Sequence, residues 1–395
     1  MKKMKNTKSL SIILAMIFLG NFFATDLYSQ SFSNSNQLPD WALGGFVRPE
    51  GINPLIEPNP ASSFYCPMRQ AQVKWEESDT FNPAAVVKDG KIFVLYRAED
   101  NSATGIGLRT SRIGLAESTD GVTVTTRSAP ILYPAEDMAK TYEWEGGCED
   151  PRVAVTEKGT FVMMYTSWNR SIPRLCVATS TDLINWVKHG PAFASAYEGR
   201  FKDMASKSAS IVTKVVDRKL VITKVNGKYL MYWGESMVNV AASDDLISWV
   251  PMLNEKNELK SLIAPRSKYF DSALTECGPP AVITDKGILL LYNGKNATDG
   301  NQDERFNAGT YSAGQVLFDL IDPCKVLSRL DLPFFRPMES YEKSGQYVDG
   351  TVFIEGLAYF KEKWYLYYGC ADSKVGVAIY DPKNQVNGDS IATGN

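Results

Sequence analysis

Two stretches of the chain, Ala178–Trp186 (ATSTDLINW) and Ala241–Trp249 (AASDDLISW), share one pattern. A shorter form of it, A-x-S-x-D, also occurs at Ala116–Asp120, so successive copies lie 62 and 63 residues apart. Ser and Asp in such a pattern hydrogen-bond to nearby backbone and are typical of turns. We therefore interpret these stretches as structural turns of a repeating unit.

A strand-like run that contains a tyrosine precedes each of these turns, and two further runs of the same kind follow them. The runs are Lys91–Tyr96, Phe161–Tyr165, Lys228–Tyr232, Gly287–Tyr292 and Lys363–Tyr368. Five units of roughly 60–75 residues, each made of short strands and turns, predict a β-propeller or solenoid. We expect an all-β fold, a five-bladed β-propeller over residues 75–395, with residues 30–74 as an N-terminal extension wrapping it. A β-sandwich array is the alternative.

The N-terminus predicts export. Lys2, Lys3, Lys5 and Lys8 precede the largely apolar run Leu10–Gly20, which is typical of a secretory signal peptide. We expect residues 1–29 to be removed, leaving a periplasmic or secreted chain with no membrane span. An uncleaved membrane anchor is the alternative, but the run is shorter than the ~20 apolar residues that a span needs.

Composition excludes several classes of function. The 395 residues carry a formal net charge of -3, with 42 Lys and Arg against 45 Asp and Glu, so no basic excess indicates a nucleic-acid partner. His189 is the only histidine, and no CxxC pair occurs among the six cysteines. We therefore expect no metal site of the common histidine or cysteine types, and no cofactor.

Acidic residues recur where a blade would open toward the axis of a propeller. They include Asp150, Glu235, Glu276 and Asp349. Carboxylates and aromatic residues in one cleft are the equipment of sugar binding and glycosidic bond cleavage. We expect Tyr96, Trp233 and Tyr292 to flank this cleft.

Three stretches resemble glycoside hydrolase family 130: Glu149–Arg152 (EDPR), Ala241–Leu246 (AASDDL) and Asp322–Arg329 (DPCKVLSR). The resemblance covers essentially all of residues 75–382. It implies a five-bladed β-propeller that acts on β-mannosides with inversion, as a phosphorylase or as a β-1,2-mannosidase.

The resemblance also implies roles for individual residues. Asp150 matches the aspartate that serves as proton donor in the phosphorylases, and Asn293 stands where their phosphate-binding Tyr-His-Gly motif has its histidine. Glu235 and Glu276 resemble the glutamate pair of the hydrolytic branch, where they act as acid and base. A hydrolase needs a carboxylate to activate water, whereas phosphate makes that role unnecessary in a phosphorylase.

Together these observations predict an inverting exo-β-1,2-mannosidase that acts on β-mannoside oligosaccharides. Glu235 and Glu276 would be acid and base in an order that the sequence leaves open. The substrate would be held by Asp150, Asn82, Arg97, Arg152, Lys207, Asn293 and Asp349. The alternatives are a phosphorylase that forms α-mannose 1-phosphate and a non-catalytic glycan-binding propeller. The sequence leaves the oligomeric state open.

Overall fold

The computed structural model describes residues 38–384, in which nearly all regular structure is β-strand. Within that range the helical elements are α1 (Lys140–Glu143) and short 3-10 turns at Ala196–Gly199, Ser340–Glu342 and Pro382–Asn384. The all-β prediction is therefore confirmed. No helix in the described range is long and apolar enough to cross a membrane. The predicted signal peptide, residues 1–29, lies outside the described residues.

A hairpin and two groups of antiparallel strands form the first half. The hairpin consists of β1 (Phe64–Cys66) and β2 (Ala71–Val73). The first group consists of β3 (Asp79–Lys88), β4 (Lys91–Glu99), β5 (Ser111–Ser118) and β6 (Thr125–Thr126). The second consists of β7 (Gly147–Val155), β8 (Phe161–Trp168), β9 (Pro173–Ser180) and β10 (Val187–Pro191).

Three more groups follow. The third consists of β11 (Ala209–Val216), β12 (Lys219–Ile222), β13 (Lys224–Val225), β14 (Lys228–Trp233), β15 (Val238–Ser243), β16 (Val250–Pro251) and β17 (Ser261–Ile263). The fourth consists of β18 (Leu274–Cys277), β19 (Ala281–Ile283), β20 (Ile288–Lys295), β21 (Tyr311–Phe318) and β22 (Val326–Arg329). The fifth consists of β23 (Val352–Phe360), β24 (Lys363–Cys370) and β25 (Lys374–Tyr380).

The A-x-S-x-D stretches are turns that stabilise themselves through side-chain hydrogen bonds. Ser180 Oγ accepts the N–H of Leu183, and Asp182 Oδ1 accepts the N–H groups of Ile184 and Asn185. The copies that begin at Ala116 and Ala241 have the same pattern of bonds. These residues act in the turns, as expected, and not in the cleft.

In four of the five strand groups, a tyrosine on a long strand donates a hydrogen bond to a buried carboxylate. The pairs are Tyr96 with Glu76 (2.8 Å), Tyr165 with Glu143 (2.8 Å), Tyr292 with Asp271 (2.7 Å) and Tyr368 with Glu342 (2.8 Å). Each hydroxyl is thereby satisfied inside the core. The expectation that Tyr96, Trp233 and Tyr292 flank the cleft was wrong, because all three are buried in hydrophobic clusters.

The segment before β1 completes the fifth group. Val47 and Ile56 form antiparallel bridges with Ile379 and Val375 of β25. Ile56 also belongs to the hydrophobic cluster that contains Val375. The chain from Val47 to Ile56 therefore covers a strand edge that would otherwise expose unpaired backbone groups.

The opening strands of three groups contain irregularities that redirect side chains. The register shifts between Phe81 and Ala84 in β3, and between Glu149 and Arg152 in β7. A similar shift occurs in β23, between Ile354 and Gly356. In β3 and β7 a proline follows the redirected residue, and a proline cannot donate to a strand ladder. Such bulges bend a strand and re-aim its side chains, here toward one shared region.

The first prediction concerns the N-terminal segment. Ile56 is 4% exposed and Val47 is 67% exposed. Ile56→Ala should lower the free energy of unfolding by about 2–5 kcal/mol, because it leaves a cavity in the core. Val47→Ala, on the same segment, should change it by less than about 0.5 kcal/mol. Urea denaturation measures both; equal losses would contradict the packing described here.

Candidate active site

A cavity of about 270 Å³ opens where the strand groups meet, and all five groups contribute to its lining. This volume lies just below the about 300–1,000 Å³ of common small-molecule sites. Its charged residues are Arg97, Glu149, Asp150, Lys207, Glu235, Glu276 and Asp372. The cavity therefore has the size for a small ligand, and most of its charged lining residues are acidic.

Asp150 is held on three sides. Its Oδ1 accepts hydrogen bonds from Asn82 Nδ2 and Arg97 Nη1, both at 3.0 Å, and its Oδ2 lies 3.6 Å from Lys207 Nζ. Burial by itself would raise the pKa of Asp150, but the charges of Arg97 and Lys207 outweigh it and hold the pKa below its usual range. Asp150 is therefore a fixed, ionised acceptor in the cavity.

Arg97 connects this aspartate to two other carboxyl groups. Its Nη2 lies 2.6 Å from Glu99 Oε1 and 3.0 Å from Glu149 Oε1. The guanidinium also lies over the ring of Phe81, 4.6 Å from its centroid. Burial raises the pKa of Glu149 to about 7, although Arg97 opposes this shift. The charge of Arg97 is thus already shared among carboxyl groups of the protein.

Glu235 and Glu276 line the same cavity but differ in environment. Glu276 is buried and accepts a hydrogen bond from Ser208 Oγ. Burial, supported by the negative charge of Glu235, raises the pKa of Glu276 to about 7. The side chain of Glu235 is 42% exposed, and its Oε1 lies 3.9 Å from Lys207 Nζ. One glutamate is thus suited to carry a proton, and the other is an exposed carboxylate beside a cation.

Three of the predicted binding residues do not line the cavity. Arg152 lies buried beneath it, and donates to the carbonyls of Cys277 (2.9 Å) and Asp150 (3.0 Å). Through these bonds Arg152 stabilises the backbone next to the cavity. The role of Arg152 in substrate binding stays a prediction, and the structure places its guanidinium outside the cavity lining.

Asn293 and Asp349 are also absent from the lining of the cavity. Asn293 is wholly buried, donates to the Ile354 carbonyl at 3.1 Å and accepts the Ile354 N–H at 2.8 Å. Asp349 is exposed, and its backbone carbonyl accepts a hydrogen bond from Thr310. Position in the sequence near a strand opening did not reveal which way these side chains point.

Asp372 lines the cavity and was missed by sequence reasoning. Burial raises its pKa to about 7, and the charge of Arg97 opposes the shift. Asp372 comes two residues after β24 ends at Cys370, as Glu235 comes two residues after β14 ends at Trp233. Comparison of these strand ends would have found it.

The family model of glycoside hydrolase family 130, described as β-1,4-mannooligosaccharide phosphorylase, matches residues 54–387. The chain belongs to glycoside hydrolase family 130. Members of this family are carbohydrate-active enzymes that act on mannosides. The acidic cavity of this family 130 chain is therefore a candidate mannoside site.

The relatives of this family 130 chain include a protein named as a phosphorylase and proteins named as hydrolases. A 1,2-β-oligomannan phosphorylase of Thermoanaerobacter sp. (strain X514) is 32% identical over 322 residues, which cover 80% of this chain and 95% of the relative. A solved structure from work on family members that are "glycoside hydrolases that target beta-1,2 mannosidic linkages in Candida mannan" is 61% identical. It covers 88% of this chain and 97% of its own, with a TM-score of 0.87. A glycosyl hydrolase from Bacteroides ovatus is 62% identical and covers 88% and 96%, also with a TM-score of 0.87.

The second prediction follows from the raised pKa of Glu276. Because its folded pKa of about 7 lies above the ordinary 4.5, the folded state keeps a proton that the unfolded state releases as pH rises. The contribution of Glu276 to the free energy of unfolding is fully present below about pH 4.5 and is lost as pH rises through about 7. Glu276→Gln removes this dependence, so its free energy of unfolding relative to wild type should increase from pH 5 to pH 8.

Glu304→Gln is the control, because its side chain is 82% exposed and lies outside the cavity. Its stability relative to wild type should change much less over the same pH interval. Urea denaturation at both pH values measures the two differences. Parallel behaviour of the two variants would contradict the described burial of Glu276.

Proposed function

We propose that this protein is an inverting exo-β-1,2-mannosidase that hydrolyses β-mannoside oligosaccharides from the non-reducing end. The observation that supports this most is the pair of glutamates, one buried and one exposed, lining one cavity with Lys207. Inverting hydrolysis needs one carboxyl group to protonate the leaving oxygen and one carboxylate to activate water.

The environments of the two glutamates suggest their roles. Glu276 is buried, and its pKa of about 7 allows it to carry a proton at neutral pH, so we assign it as the general acid. Glu235 is exposed enough for water to reach it, so we assign it as the general base. An inverting pair is commonly about 6.5–9.5 Å apart, which leaves room for the attacking water.

The other charged and polar residues of the cavity would bind the sugar that carries the scissile bond. An ionised Asp150 accepts hydrogen bonds from hydroxyl groups, while Asn82, Arg97 and Lys207 hold it in place. Asp372 adds a further carboxyl group to the lining. Hydrogen bonds to charged groups are stronger than neutral ones, which favours a polyhydroxylated ligand in one orientation.

Phosphorolysis is the second candidate, because a 32% identical relative is named as a phosphorylase. The charges of the cavity argue against it. Five of the lining residues are acidic and two are cationic, and both cations lie against carboxylates of the protein. A phosphate ion needs positive charge and convergent donors, and Asn293 is not among the lining residues.

We also propose that the five strand groups are the blades of a five-bladed propeller. The parallel pairing of β11 with β19 joins the third and fourth groups, and the bond of Asn82 to Asp150 joins the first and second. The bond of Arg152 to Cys277 connects the second group with the fourth. The segment Val47–Ile56 is bridged at two positions to the outer edge of the fifth group. We further propose export to the periplasm or the medium, on the basis of the basic and apolar pattern of residues 1–29.

The third prediction separates hydrolysis from phosphorolysis. With β-1,2-mannobiose, the protein should release mannose at a rate independent of added phosphate. The first-formed sugar should be α-mannose, as NMR would show. Turnover that requires phosphate and yields α-mannose 1-phosphate would contradict the proposal.

The fourth prediction concerns the two glutamates. Glu276→Gln and Glu235→Gln should each lower kcat about 10²- to 10⁴-fold, because each loses a group that transfers a proton. Glu304→Gln, whose side chain is 82% exposed outside the cavity, should match wild type. Near-normal turnover by both cavity variants would rule out the assignment.

A further inference from the structure

The cavity has an uncharged wall in addition to its charged floor. Ile106, Gly107, Trp168 and Pro173 line it. Ile106 is 59% exposed although it lines the cavity, so it lies where the cavity meets solvent. Its exposed aliphatic surface is therefore accessible to a ligand that enters the cavity.

Hydrogen bonds from the second strand group hold this wall in place. Trp168 Nε1 donates to the carbonyl of Gly107 at 2.7 Å. Arg170 donates to the carbonyl of Leu108. The loop between β4 and β5 is therefore fixed to the end of β8, and Ile106 is presented at a defined position.

The cavity also has aromatic lining residues from other strand groups. Tyr311, Tyr347 and Phe353 line it, from the fourth and fifth groups and the loop before β23. A pyranose has an apolar C–H face and a polar rim, and sites for such ligands combine apolar or aromatic walls with a few polar groups. The charged lining residues therefore suit the sugar whose glycosidic bond is broken, and the uncharged lining residues suit the apolar face of the leaving sugar.

We propose that Ile106 and Trp168 form the binding site for the leaving sugar, and so determine the preference of this protein for oligosaccharides over mannosides with a small leaving group. The inference rests on the proposed function and names a subsite of the same cavity. It also restricts the leaving group to neutral sugars, because an acidic one would enter a cavity with five carboxyl groups against two cations.

Two substrates test this inference. β-1,2-Mannobiose has a leaving sugar that would reach Ile106, whereas β-mannosyl fluoride has a leaving atom that would not. Hydrolysis of the fluoride breaks the C–F bond, forms a C–O bond to water on the opposite face and releases fluoride and a proton. The measured quantity is kcat/KM for mannobiose divided by kcat/KM for the fluoride.

Ile106→Ala should lower this ratio about three- to tenfold, mainly through a higher KM for mannobiose, because part of an apolar contact is lost. Trp168→Phe should lower it as well, since the indole N–H that fixes Gly107 is removed. Ile321→Ala, at an exposed isoleucine that does not line the cavity, is the control and should leave the ratio unchanged.

The outcomes are distinguishable. If wild type hydrolyses both substrates but the ratio is unchanged in Ile106→Ala and Trp168→Phe, the inference is overturned and the proposed function stands. A ratio that falls equally in Ile321→Ala also overturns the inference. If wild type hydrolyses neither substrate, the proposed function fails and this inference fails with it.

Discussion

The pairing of buried charges where the opening strands meet is the constraint on which the rest of this structure depends. Arg97 is buried among Glu99, Glu149 and Asp150. An unpaired charge there would be costly, because desolvation is repaid only by close partners. Each member of the cluster comes from a fixed position on a strand, so the cluster requires the first two strand groups to hold one geometry.

The backbone is adapted to this requirement. Asn82 and Asp150 adopt positive φ angles, 47° and 48°, at the irregularities of β3 and β7. Non-glycine residues rarely adopt this conformation, and it occurs often at functional sites. Arg152 lies below them, 2.9 Å from the wholly buried Glu355. Burial raises the pKa of Glu355 well above its ordinary value, although Arg152 opposes the shift. The site thus contains several acidic groups that favour a proton, at a cost to stability near neutral pH.

The same feature links stability to the proposed chemistry. A buried glutamate that keeps its proton at neutral pH destabilises the folded state relative to a neutral isostere, yet it is the form that an acid catalyst needs. The exposed position of Glu235 leaves room for water on the solvent side. The cavity therefore separates two like groups by environment, and that separation is the basis for assigning them different roles.

The sequence by itself determined the local features. The A-x-S-x-D turns and the tyrosine-bearing strands follow from hydrogen bonds and alternation within a few residues, and they predicted the all-β fold. Sequence reasoning also named Asn82, Asp150, Lys207, Glu235 and Glu276, which the structure brings to one cavity. Only the tertiary structure decided which way side chains point. It turned Asn293 to the backbone of Ile354, placed Tyr96 in the core and brought Asp372 to the cavity. The physical reason is that the partners of these side chains come from strands more than fifty residues away in the chain, which the local alternation of a strand does not reveal.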